Sequence, residues 1–123
     1  MKELLATLLI LCAGPVWAGW VHYAESIKDN QYFYDPSSIK GKTVKKVWTR
    51  DEFPSAGQGF RSRRTLWEID CKDEKVRALS RHKYSKPNLE GEITEMLNEP
   101  SSWSYVPPDT ILKELFDITC GKK

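Results

Sequence analysis

The side chains with the widest chemical range are three cysteines and two histidines. Cys12 closes an apolar run near the start, while Cys71, Cys120, His22 and His82 lie far apart along the rest of the chain. Two thiolates and two imidazoles could in principle hold a tetrahedral ion. Structural zinc sites, however, gather their ligands in close pairs such as C-x2–4-C and H-x3–5-H, and none of these residues is so spaced. No metal is expected. Catalysis has as little to work with, because Asp70, Asp73 and Glu74 crowd one turn instead of facing each other as acid and base. A serine elbow, a glycine-rich phosphate loop and a metal box are all missing from the sequence. The chain is read as non-catalytic and without a cofactor.

What remains is thiol oxidation, and that depends on compartment. Met1-Lys2-Glu3, the apolar run Leu4 to Cys12, then Ala13-Gly14-Pro15 and Val16-Trp17-Ala18 have the layout of a secretory signal. Residues 1–18 are expected to leave after Ala18, with residues 19–123 forming one mature domain. An apolar stretch of about 11 residues falls short of the roughly 20 that span a bilayer, so no transmembrane helix is expected in the mature chain. Lipidation at Cys12 is the alternative. Leu11 weakens it, since a small residue normally precedes a lipidated cysteine, and a lipid would tether the domain without changing its fold.

Cleavage removes Lys2 and Glu3 together, so the net charge of +2 from 19 Lys and Arg against 17 Asp and Glu persists. A charge so nearly balanced argues against nucleic acid as a partner. Cys71 and Cys120 are then an even pair in an oxidising space, with one intramolecular connectivity open to them. Closing a loop of about 50 residues would stabilise the fold by about 4 kcal/mol on the loop-entropy model.

The elements that must bring those two cysteines together are readable in outline. Trp20, Val21, Tyr23 and Ile27 mark a first strand, Lys28-Asp29-Asn30 a turn, and Gln31 to Tyr34 a second strand, giving a hairpin. Pro36 ends it. A third strand runs from about Thr43 to Asp51, and Pro54, Gly57 and Gly59 mark the connection that follows. In Arg61 to Cys71, alternation places Thr65, Trp67, Ile69 and Cys71 on one face. Lys72-Asp73-Glu74 returns the chain antiparallel as Lys75 to Tyr84. Residues 86–101 contain loop signals around a segment, Glu92 to Leu97, whose pattern fits no element. Trp103 to Val106 reads as an edge strand. Pro108 and Asp109 suit a helix start, after which Ile111, Leu112, Leu115, Phe116, Thr119 and Cys120 share one stripe and Gly121 ends the helix. The expected fold is α+β and mainly β: an antiparallel sheet of about five or six strands, with one C-terminal helix packed on it and held by a Cys71–Cys120 disulfide.

Two surface features are candidates for binding. Arg77, Arg81 and Lys83 share one strand face if alternation is strict, with Arg64 across the pair, a platform for an acidic matrix protein, sulfated glycan or lipid A phosphate. The plainer reading is a charged face that serves solubility. Trp103 and Tyr105, beside Pro107-Pro108, would make a sticky exposed edge. Against that stands core filling, the ordinary use of large aromatics in a small domain with five Trp and five Tyr in the precursor.

Several segments also resemble a known family in their order and spacing: Tyr34-Asp35-Pro36-Ser37-Ser38-Ile39, Val47-Trp48, Glu68-Ile69-Asp70-Cys71-Lys72, Val76-Arg77-Ala78-Leu79, Trp103-Ser104-Tyr105-Val106-Pro107-Pro108 and the closing Cys120. Across nearly the whole mature chain they are similar to the bacterial surface-adhesin protein E-like family. The resemblance implies an antiparallel sheet tied to a C-terminal helix, and an envelope or surface location. For the founding adhesin it implies attachment to host extracellular-matrix proteins and epithelial cells. The reading for this chain is an exported, adhesin-like envelope binding module with a protein or glycan partner, in the periplasm or on the outer surface of a bacterial cell. The alternative is a soluble periplasmic structural or inhibitor-like protein. Free sheet edges offer a route to a homodimer.

Overall fold

The computed structural model describes residues 19–122 apart from Ala56 and Gln58. The expected signal, residues 1–18, and with it the question of Cys12, lies outside the described residues. Eight strands form one antiparallel sheet: β1 Val21–Glu25, β2 Gln31–Tyr34, β3 Lys40–Gly41, β4 Val44–Glu52, β5 Ser62–Asp70, β6 Lys75–Lys86, β7 Glu90–Leu97 and β8 Ser104–Tyr105. Six of them follow the order β1-β2-β4-β5-β6-β7, with β3 on β4 and β8 on β6. Among the described residues one α-helix, α1, spans Ile111–Thr119.

Local chemistry explains the turns. Ser26 bridges the first hairpin, its hydroxyl accepting from the Lys28 and Asn30 amides. Asp35 ends β2 by accepting from the Ser37 amide at 3.0 Å, which starts a 3-10 turn over Pro36–Ser38. Gly41 has φ +113°, and a Cβ there would run into the Val44 carbonyl oxygen, so only glycine fits the tight β3–β4 reversal.

Side chains alternate across the sheet, and one of its faces receives α1. Val47 from β4, Ile69 from β5 and Val76 from β6 are buried together with Leu115 and Phe116 of the helix. Both helix residues are fully buried, and each contributes about 1.5–3 kcal/mol by leaving water. The helix lies along β5 in the same direction: Ile111 and Leu112 stand near Asp51 and Arg63, while at the other end the Thr119 carbonyl accepts from Lys45 Nζ at 3.3 Å. That direction carries Cys120 to Cys71. The two are bonded, with Cα atoms 5.7 Å apart and a sequence separation of 49.

Fold class and disulfide are therefore as the sequence implies, and three details differ. The segment whose pattern fits no element is β7, an edge strand with Ile93 and Met96 exposed; a strand that pairs on one side and buries little has no apolar alternation to show. The helix begins at Ile111 instead of Pro108. Asp109 adopts φ 58°, which no helix continues through, and Thr110 is the true cap, its Oγ1 accepting from the Lys113 amide at 3.1 Å. The third difference concerns β6. Trp67 pairs with Ala78 but Leu66 pairs with Ser80, leaving Leu79 as an extra residue. This β-bulge reverses the phase of every residue beyond it. Arg77 thus lies on the face opposite Arg81 and Lys83, and the single basic row expected from strict alternation does not form.

Candidate binding surface

The bulge divides the expected cations between two faces. On the helix-bearing face, beyond the reach of α1, Arg81 donates through Nε to Thr65 Oγ1 at 3.3 Å and lies 5.5 Å from the Trp67 ring centre. Burial and the nearby Arg63 charge push its pKa down. Lys83 pairs with Glu95 at 2.8 Å and sits 4.8 Å from the Phe60 ring; that hydrogen bond holds the Glu95 carboxyl below its ordinary pKa. Both cations are engaged within the fold.

The other face carries no helix and holds the remaining candidates. Arg77 pairs with Glu68 at 2.7 Å and stacks 4.6 Å from the ring of Trp103. Trp103 is 38% exposed and Tyr105 72% exposed, the latter 5.0 Å below Lys75, so neither fills the core. Their exposure follows from β8, two residues long and paired only to the start of β6. Arg64, unlike Arg50, Arg63 and Arg77, lacks an ion pair among the described residues. Its Nε donates to His82 Nδ1 at 3.3 Å, its guanidinium lies 5.3 Å from the Trp48 ring, and no carboxylate pairs with it among the described residues. Burial, and after it the Arg64 charge, lowers the pKa of His82.

Sequence reasoning missed the residues beside Arg64. Lys40 and Lys46 stand directly opposite each other in the β3–β4 ladder, and neither has a carboxylate partner among the described residues. With Trp48, Leu66, Ser37 and Ser38 they line an open recess of about 220 Å³. Like charges facing each other across a ladder are destabilising, so a bound anion would relieve this pair. Farther along the same face, Arg50 stacks 4.2 Å from the Phe33 ring and 5.7 Å from Trp20. Its Nε lies 3.4 Å from Glu52 Oε2, close enough for ion pairing but without hydrogen-bond geometry. The signal that could have found this surface is the alternation Lys46, Trp48, Arg50 in β4, a cation–aromatic–cation row on one face.

The arrangement is suited to holding negative charge. It presents Lys40, Lys46 and Arg64 around the edge and face of Trp48, in a shallow setting suited to an extended acidic surface.

Comparison with known proteins bears on the family and the fold. A family model described as surface-adhesin protein E matches residues 20–121. Crystal form II of Haemophilus influenzae protein E is 16% identical and superposes with a TM-score of 0.64, covering 88% of this chain and 91% of that one. Protein E from non-typeable Haemophilus influenzae, also 16% identical, gives a TM-score of 0.59 over 88% of this chain and 79% of the other. At such identity the likeness is one of fold. No curated protein matches the chain.

Proposed function

The chain belongs to the surface-adhesin protein E family, and from that membership we propose that it is an exported, non-catalytic binding module of the bacterial envelope whose helix-free sheet face docks an acidic protein or glycan. The observation that carries this reading is the grouping of Lys40, Lys46 and Arg64 about Trp48, three cations without a carboxylate partner among the described residues. Elsewhere on the sheet, Arg50, Arg63, Arg77 and Lys83 each have one, while Lys45 and Arg81 are held by the Thr119 carbonyl and the Thr65 hydroxyl instead. Unpaired cations around an aromatic face attract negative charge and keep their donors free for it. The Arg77–Trp103 stack extends the same surface toward the sheet's end.

Export is part of the proposal. The reading takes residues 1–18 as a signal and the disulfide as the mark of an oxidising compartment. A rival reading, a soluble periplasmic structural protein, draws on those four paired cations, because a surface that neutralises much of its own charge on both faces of the sheet is also what solubility alone would produce. Fractionation with a protease-accessibility test on intact cells separates the two. For the docking reading, purified residues 19–123 would be applied to immobilised matrix proteins and sulfated glycans. Retention that falls several-fold between about 50 and about 300 mM salt supports it. Absence of salt-sensitive retention on every surface, or protein found wholly inside an intact outer membrane, favours the rival.

A further inference from the structure

A second feature lies on the helix-bearing side of the sheet, away from the docking face. Between the first turn of α1 and strands β1, β2, β4 and β5 is a cavity of about 190 Å³, walled by Tyr23, Tyr32, Trp67 and Leu112, with Asp51 and Arg63 at its base. Tyr23 reaches it because it is the extra residue of a bulge in β1, between His22 and Ala24. Asp51 is only 5% exposed. Its Oδ2 takes both bonds from Arg63, Nε at 2.8 Å and Nη2 at 2.7 Å, and its Oδ1 receives no donor among the described residues. The hydroxyls of Tyr23 and Tyr32 likewise make no hydrogen bond to another described residue. The Trp67 indole is fixed from behind, its Nε1 donating to Thr49 Oγ1 at 3.0 Å.

We propose that this cavity is a subsite for a single pyranose ring. Three features select that class. The volume lies well under the roughly 300–1,000 Å³ that holds a drug-sized ligand, a size that suits one ring. The walls are aromatic faces, which pack on the C–H face of a sugar. The base offers an acceptor, Asp51 Oδ1, beside a donor, the Arg63 guanidinium, and two vicinal hydroxyls use both at once. Since Asp51 and Arg63 already neutralise each other, a neutral polyol satisfies the pair better than an added ion does. The cavity shares Tyr23 and Ile111 with a wider open trough along β1 and the start of the helix, which leaves room for the next unit of a glycan. This inference does not rest on the docking face, which lies across the sheet.

Methyl glucoside, methyl galactoside and methyl N-acetylglucosaminide, titrated into the oxidised 19–123 domain and read through indole and amide NMR signals, test it. A saturable shift at Trp67, Tyr23 and Tyr32 with a millimolar dissociation constant is expected for at least one glycoside. Leu112→Trp, which fills the cavity, should abolish the shift, and Asp51→Asn should weaken binding about tenfold. Met96→Ala, on the distant edge, should leave it unchanged. Tyr32→Ala serves if the Trp variant fails to fold, and should also abolish the shift. No response at Trp67 up to about 50 mM of any glycoside, far above a millimolar constant, would overturn the proposal. So would phenol binding as well as the glycosides, which would make the cavity an apolar slot, or a shift that survives cavity filling.

Discussion

Arg64 owes its standing to what it lacks. It stacks near Trp48 and reaches His82, but no carboxylate answers it among the described residues, so little stability depends on its charge. Arg64→Ala should lower stability by about 1 kcal/mol, the worth of one cation–aromatic contact, while weakening attachment to a polyanion; urea unfolding and a binding assay on the same preparation check both halves. Asp51 is the opposite case. Burial pushes its carboxyl above the ordinary carboxylate range, with Arg63 pulling it back. A folded state that holds the proton more tightly than the unfolded chain is favoured below the unfolded pKa and loses that advantage as pH rises through the folded value. Asp51→Asn has no such ionisation, so its unfolding temperature relative to the native protein should improve from about pH 4 to about pH 7. Thermal melts across that range decide it, and a variant-minus-native value that stays constant or falls as pH rises would mean that the carboxyl is not destabilised by burial. Neither role could be read from sequence. Both depend on which cross-strand neighbour each residue meets, and alternation alone assigns a face, not a partner.

Helix and disulfide act together at the scale of elements. Their phases were legible because each is short-ranged: Cys71 follows Trp67 and Ile69 by alternation, Cys120 follows Phe116 by one helical turn, and both faces are buried. The bond should matter to the same degree as a large share of the core. Cys71→Ser with Cys120→Ser removes the constraint on a loop of 49 residues and should cost about 3–4 kcal/mol, seen as a lowered denaturation midpoint that matches the reduced native protein. Thr110→Ala should cost about 1 kcal/mol by stripping the cap from α1. That cap was overlooked in favour of Pro108 because Pro at a helix start is a good statistical signal, whereas the positive φ of Asp109 follows from how the preceding loop leaves β8. The bulge at Leu79 was hidden for a similar reason. One extra residue in a strand has no compositional mark, yet it moved Arg81 and Lys83 across the sheet from Arg77.

For the molecule as a whole, one helix on a wide sheet means that the two faces serve different ends. The covered face makes the core, the disulfide and, past the helix, an internal charge network of Asp51, Arg63 and Arg81. The uncovered face keeps Lys40, Lys46 and Arg64 without carboxylate partners among the described residues. Affinity for a sulfated polysaccharide, measured for two double variants, separates the faces most directly. Lys46→Ala with Arg64→Ala should weaken binding by about tenfold or more and flatten its salt dependence, whereas Arg81→Ala with Lys83→Ala should leave affinity within about twofold. Equal losses from both pairs, or a larger loss from Arg81 and Lys83, would contradict docking through the helix-free face.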